Sequence, residues 1–196
     1  MTDPQPLHPL DHLGAPRTPE QPPELVISHR RGLAFCQVMA RSGHTEAVAA
    51  ALGIPVDAGL ASAGTGFTAL PLAPGQWMLC AAGGRDGGFA TEIGQCVRGV
   101  GYASEQSHGR AAFRVRGVPA IALLSRECRL DLDTPAAPAG FVGQTVMADV
   151  GVLVHRVDDA PTFDCVVYAG YAEHFWGWLN SGARSFNAVL TEEDAE

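Results

Sequence analysis

The chain has 196 residues, 46% of them hydrophobic and 17% charged. That length allows one large domain or two small packed units, and the charged share lies below the roughly 25% usual for soluble domains, as in a protein that hides surface against a partner. Lys and Arg total 13 against 21 Asp and Glu, for a formal net charge of −8, which disfavours a non-specific nucleic-acid or anionic-membrane binder.

Residues 1–24 carry Pro4, Pro6, Pro9, Pro16, Pro19, Pro22 and Pro23. Each proline fixes φ and removes a donor, so the expectation is an extended arm, suited to lying along a partner. His8 and His12 flank Asp11, but a metal site at that spacing needs a helix, which Pro9 disfavours. The folded body is expected from residue 25 to 190, in two units of about 33–106 and 107–186.

Leu33–Ala40 suits a largely buried strand. Thr45 is expected to cap a helix carrying Val48, Ala51 and Leu52, with Glu46 near its positive end and Gly53 as its stop. Strands over Thr68–Leu72 and Trp77–Ala81 follow, turned by Pro74-Gly75. Phe89, Ile93, Cys96 and Val97 mark a second helix, and Gly99–Ser104 a closing strand. This order is that of a ferredoxin-like split βαβ unit. The second half repeats it. Ala111–Arg116 is a strand, and Gly117 with Pro119 opens a helix whose stripe is Ile121, Leu124 and Cys128. Gln144–Ala148, Val150–Arg156 and Phe163–Tyr168 are strands, and a helix over 171–181 ends at Gly182. The fold class is therefore α+β, as two packed split βαβ units.

Candidate chemistry is sparse. Cys36, Cys80, Cys96, Cys128 and Cys165 are odd in number and hold no C-x-x-C pair, so they read as reduced thiols of a cytoplasmic protein. No basic-then-apolar leader and no run of roughly 18 apolar residues is visible. Gly64-Thr-Gly66-Phe-Thr-Ala69 fits G-x-G-x-x-[GA] but opens no helix, as dinucleotide binding requires. Gly83–Gly88 sits between a strand and a helix without the Lys-Ser/Thr of a phosphate loop. Ser107 and His108 are adjacent on a strand and point to opposite faces, and Asp131 and Asp133 read as solvated loop acids. His29, His44, His155 and His174 lack ligand spacing. On the last helix Tyr171, Phe175, Trp178 and Leu179 share a core stripe. Trp176 projects roughly 60° or more from it, at about 100° per residue, and is the one residue singled out as a partner contact.

Leu70-Pro-Leu-Ala-Pro-Gly-Gln-Trp-Met-Leu79, Gln106–Arg110, Arg116–Ala120, Cys128–Leu132, Phe141–Thr145, His155-Arg156, Phe163 and Trp176–Leu179 occur in an order and spacing that resembles the gamma subunit of heterotetrameric sarcosine oxidase. The resemblance runs from Leu33 to Phe186, within a wider group similar to the folate-binding aminomethyltransferase of glycine cleavage. It implies an aminomethyltransferase-like fold and a non-catalytic subunit with alpha, beta and delta partners. FAD, FMN, NAD and tetrahydrofolate are implied on the larger subunits and zinc on the smallest, in a complex that oxidatively demethylates sarcosine to glycine. The chain departs from the family at Glu105, usually aspartate, and at Ala169-Gly170-Tyr171-Ala172, where an Arg-Ser-Phe-Ala segment is common. Two alternatives stand beside this reading: the equivalent subunit of an N-methylglutamate dehydrogenase-type complex, and a free-standing folate-binding, aminomethyltransferase-like protein.

Overall fold

Short, largely apolar segments broken by glycine and proline turns give a chain built mainly of strands. The computed structural model describes residues 22–56, 59–83, 87–133 and 135–194. The arm expected over residues 1–24 lies almost wholly outside the described residues. In chain order the elements are β1 (Leu25–Arg31), β2 (Leu33–Ala40), α1 (Thr45–Leu52), β3 (Ser62–Gly64), β4 (Phe67–Ala73), β5 (Gln76–Ala82), α2 (Gly88–Cys96) and β6 (Gly101–Glu105). There follow β7 (Arg110–Arg116), α3 (Ala120–Leu124), β8 (Val142–Met147), β9 (Val150–Arg156), β10 (Thr162–Tyr168), α4 (Ala172–Ala183) and β11 (Ala188–Asp194).

Two sheets result. One has five strands in the order β3-β4-β5-β2-β6, the other six in the order β11-β1-β7-β10-β9-β8. The match between them is positional: β3, β4, β5 and β2 correspond to β8, β9, β10 and β7, and β6 corresponds to β1, each antiparallel to its inner neighbour. The split βαβ repeat expected from the sequence is thus present. The second unit differs in one way: it takes β1 from the N-terminal side of the first unit, and β11 then adds parallel to β1 over Leu25–Arg31.

The sheets stack face to face with helices outside, in four layers. Leu33, Phe35, Leu70 and Met78 of one sheet meet Ala112, Leu153 and Val166 of the other. On the outer face of the five-stranded sheet, Val48, Leu52 and Ile93 cover Cys36, Val38, Trp77 and Leu79. On the outer face of the six-stranded sheet, Leu123, Phe175 and Leu179 cover Phe113, Val115, Phe163 and Cys165. Strands buried on both faces read as near-continuous apolar runs, which is why β2, β5, β7, β9 and β10 were legible.

Several local expectations are corrected. His44, not Thr45, occupies the N-cap of α1, and no side chain caps that end. Gly53 does terminate α1 in the left-handed region. Helix α3 spans only Ala120–Leu124, and Cys128 lies a turn beyond it, its N–H donating to the Leu124 carbonyl. Gly182 lies inside α4, close under Leu123, where a Cβ would collide with that side chain; the small residue lets α3 and α4 touch rather than stopping the helix. Gly117 has φ +128, and a Cβ there would strike the Glu24 carbonyl. Glycine at this point lets the entry to β1 pass the end of β7.

The β8–β9 turn is held by side chains from outside the hairpin. Ala148 and Asp149 both have positive φ, 51° and 60°, as a two-residue type I′ turn requires. The Ala148 N–H donates to Glu127 Oε2 at 2.6 Å. His174 Nε2 donates to the Ala148 carbonyl at 2.8 Å, which fixes the proton on that nitrogen because a carbonyl only accepts. These two bonds hold non-glycine residues in a conformation that costs roughly 1–2 kcal/mol per residue.

Candidate functional site

Charged residues on adjacent strands converge on the inner face of the six-stranded sheet. Arg30 of β1, Arg114 of β7, Asp164 of β10 and Glu193 of β11 lie side by side. The Arg114 guanidinium donates twice to Asp164, at 2.7 and 2.8 Å, and once to Glu193 at 3.3 Å. Arg30 donates to Asp164 at 3.2 Å, and Ser28 Oγ donates to Glu193 at 2.8 Å. Burial opposes the charge of Arg114, but the hydrogen bond and charge of Asp164 outweigh it, with Glu193 adding, and hold its pKa above the ordinary value. His155 of β9 borders this network. Burial lowers its pKa; Arg114 and Arg30 push the same way and Asp164 opposes. Each carboxylate here is matched by a cation, so the network binds β11, β1, β7 and β10 together.

Arg156 is buried at 4% exposure. It donates to the carbonyls of Ala137, Asp158 and Asp159, at 2.7, 3.1 and 3.3 Å. The motif arginine thus organises two loops through backbone oxygens, using donors that fan out in one plane.

Ser107 and His108 sit in a 3-10 turn, Ser107–Gly109, rather than on a strand. Ser107 is buried and His108 exposed. Ser107 Oγ accepts from the Phe35 N–H at 2.9 Å, and the Ser107 N–H donates to Glu105 Oε1 at 2.6 Å. The serine therefore completes the β2–β6 ladder where the chain crosses between sheets, its hydroxyl engaged by the Phe35 backbone. Asp131 and Asp133 are both exposed, and Asp131 Oδ1 accepts from the Asp133 N–H at 3.0 Å. Gly64 and Gly66 form the tight β3–β4 hairpin, with Gly66 at φ +78, so the loop leads into a strand and opens no helix. Part of Gly83–Gly88 lies outside the described residues; its last member opens α2.

All five cysteines are free. Burial pushes Cys36 up to about 11 and Cys80 up to about 12, and raises Cys165 further. These thiols stay protonated at neutral pH, the unreactive form. Among the described residues, no group of three or more His, Cys, Asp or Glu side chains is placed to hold a metal ion. No helix there is long and apolar enough to cross a membrane.

Two cavities flank the sheet stack. One, of about 380 Å³, is lined by Val56, Leu60, Pro71, Leu72, Trp77 and Val142 beside the β4–β5 hairpin, and among the described residues no charged side chain lines it. The other, of about 280 Å³, opens between the sheets and includes Gln37, Gln76, Arg110, Gln144 and Tyr168. The Arg110 guanidinium carbon lies 3.8 Å from the Tyr168 ring centroid. This space is smaller than the pockets of roughly 300–1,000 Å³ that enclose drug-sized ligands.

Trp176 packs against the core of the second unit, stacked on Phe113 at 5.7 Å between centroids and 28° between planes, and remains half-buried. Of the expected stripe, Phe175 and Leu179 are buried, Trp178 is half-buried with Nε1 donating to Glu127 Oε1 at 3.0 Å, and Tyr171 is 54% exposed. Met39 and Tyr102, both exposed, are paired across β2 and β6; the sequence offered no signal for this pair, because it depends on strand register between segments far apart in the chain.

The chain matches the model of the sarcosine oxidase, gamma subunit family over residues 38–185. In structure it is similar to a chain of the heterotetrameric sarcosine oxidase from Corynebacterium sp. U-96, solved in complex with pyrrole 2-carboxylate. The TM-score is 0.72 and the identity 21%, over 84% of this chain and 86% of that one. It is also similar to the glycine cleavage system aminomethyltransferase T from Bartonella henselae, with TM-score 0.67 and 12% identity, over 86% of this chain but only 48% of that one. At these identities the structural likeness establishes an aminomethyltransferase-like fold. No curated protein matches the chain in sequence.

Proposed function

The chain belongs to the sarcosine oxidase gamma subunit family, and we propose that it serves as the non-catalytic gamma subunit of a cytoplasmic heterotetramer that oxidatively demethylates sarcosine to glycine. Its companions in this reading are the alpha, beta and delta subunits. FAD, FMN, NAD and tetrahydrofolate belong to the larger chains and zinc to the smallest, so none of these groups is assigned a site here. The chemistry such groups supply is electron transfer to oxygen and capture of the one-carbon unit. This chain supplies a rigid body on which the larger subunits are held.

One observation carries the reading. The family match runs over residues 38–185, from within β2 through α4, and the shared fold covers 86% of the sarcosine oxidase chain; this favours the complex over the free-standing folate-binding alternative. Trp176 supports the same reading. One face of its ring lies on Phe113, and the accessible remainder is available to a neighbouring chain.

The test is co-expression of the tagged chain with the proteins encoded beside it. The complex should co-purify and show a flavin absorbance spectrum. Sarcosine and N-methylglutamate, offered in turn, then separate the two oxidase-type complexes. Trp176→Ala should lower the yield of complex severalfold while the isolated chain keeps most of its melting temperature. An undiminished yield would remove Trp176 from the interface. Saturable micromolar binding of tetrahydrofolate to the isolated chain would favour the free-standing alternative.

A further inference from the structure

The two halves of β11 are held by different chemistry. In the first half, Leu190 is buried in the core of the second unit and Ala188 packs against that core. In the second half, Thr191–Asp194, no residue is buried. Charge takes the place of apolar packing there. Successive side chains of a strand point to opposite faces. Glu193 turns to the inner face, where it accepts from Arg114 at 3.3 Å and from Ser28 Oγ at 2.8 Å, with Arg30 Nε 3.9 Å away. Glu192 turns to the outer face and accepts from Arg31 at 2.8 Å. Both faces of this half-strand are therefore fastened by ion pairs, and its one neighbour in the sheet is β1.

The two carboxylates are more open to solvent than the one at the centre of the network. Side-chain exposure is 33% for Glu193 and 48% for Glu192, against 14% for Asp164. Ion pairs that open are screened by salt, whereas the bidentate and largely enclosed Arg114–Asp164 pair is screened much less. Without Glu193, Arg114 still donates twice to Asp164 and Arg30 once. Strands β1, β7 and β10 thus stay joined when the last residues of β11 leave.

From this division we infer that Thr191–Asp194 is a salt-sensitive latch. The second half of β11 opens from β1 as a unit when ionic strength rises, turning about Leu190, while the rest of the six-stranded sheet stays closed. A segment with few buried apolar contacts opens at lower cost than the whole fold. Opening uncovers the edge of β1 over Ser28–Arg31, the residues in register with the latch, and leaves Arg30 and Arg114 sharing the Asp164 carboxylate. The latch is therefore what keeps a basic strand edge covered. The inference concerns this chain alone and does not depend on the subunit reading.

Residue-resolved amide exchange of the whole chain tests it, at about 0.1 M and about 1 M sodium chloride, between which the screening length falls from about 10 Å to about 3 Å. Relative to an unstructured peptide of the same sequence, the protected amides of Thr191–Asp194 should exchange roughly three- to tenfold faster in the higher salt. Those of Ala188–Leu190, β7 and β10 should keep their rates. Glu193→Gln keeps the side chain's shape and removes its charge. It should show the faster exchange already at the lower salt, with a weaker response to added salt. The wild-type comparison needs no variant. Exchange of Thr191–Asp194 that ignores salt overturns the latch, as does release of Ala188–Leu190, β7 and β10 in step with it. A Glu193→Gln chain with the parent's rates and salt response overturns the part assigned to Glu193.

Discussion

The two split βαβ units share one strand order but are stabilised by different means. The second unit packs large aromatic groups under α4: Phe113, Phe163 and Phe175 are fully buried, with Trp176 and Trp178 around them. Its strands are further joined by the Arg30–Arg114–Asp164–Glu193 network, and its edge is extended by β1 and β11. The first unit packs mostly small and branched residues under short helices, and Ile93 alone is buried on α2. The shared strand order thus separates into a heavy unit that holds the fold together and a lighter one packed under short helices.

The largest effect that would sharpen this contrast is in the cores. Phe113→Ala should cost about 3–5 kcal/mol, the range for fully buried phenylalanine, while Ile93→Ala should cost about 2 kcal/mol, the low end for its type. Denaturant titration of both variants decides it. Equal losses would show that the units share the load evenly.

A smaller effect is expected from pH. Burial holds the folded-state pKa of His155 below its ordinary value of 6.5, beside Arg114, Arg30 and Asp164. At pH above that value both folded and unfolded states are neutral, so its contribution is complete. As pH falls below about 6.5 the unfolded state takes the proton first, and stability is lost. His155→Gln should therefore flatten the acid limb of the stability curve between pH 6.5 and the lowered folded-state pKa. A wild-type curve that is flat there would mean that the inner face of the second unit is wetter than its packing indicates.

Smallest is a gain. Asp149→Gly removes the positive-φ cost in the β8–β9 turn and should raise stability by up to about 1 kcal/mol, the glycine's greater unfolded-state freedom offsetting part of the relief. The thermal midpoint should rise by a few degrees. A drop would show that the Asp149 side chain itself contributes to the turn.

The same contrast explains what was legible in the sequence. Strands buried on both faces announce themselves as apolar runs, so β2, β5, β7, β9 and β10 were found, as was the repeat. The strands that distinguish the second unit were not. Leu25-Val-Ile-Ser-His-Arg-Arg31 follows a proline-rich stretch and ends in two arginines, and Ala188-Val-Leu-Thr-Glu-Glu-Asp194 ends in three acids. Glu and Asp are depleted in strands, so neither segment announces a strand, and only the register shows how Arg31 meets Glu192 at 2.8 Å and Arg114 meets Glu193. Gly182 looked like a helix stop because a glycine's role in a tight helix contact depends on Leu123, which lies outside its own segment. Ser107 held no readable role in the sequence. Its actual task, completing the β2–β6 ladder at Phe35, requires a partner 72 residues away.

In the function proposed here this chain works as one subunit among several. Size and absorbance of the tagged chain, co-expressed with its encoded neighbours and passed over a sizing column, test this most directly. Elution in a large complex whose spectrum carries flavin bands is the expected result. A lone, stable monomer of about 20.5 kDa, free of flavin-bearing partners, would contradict it.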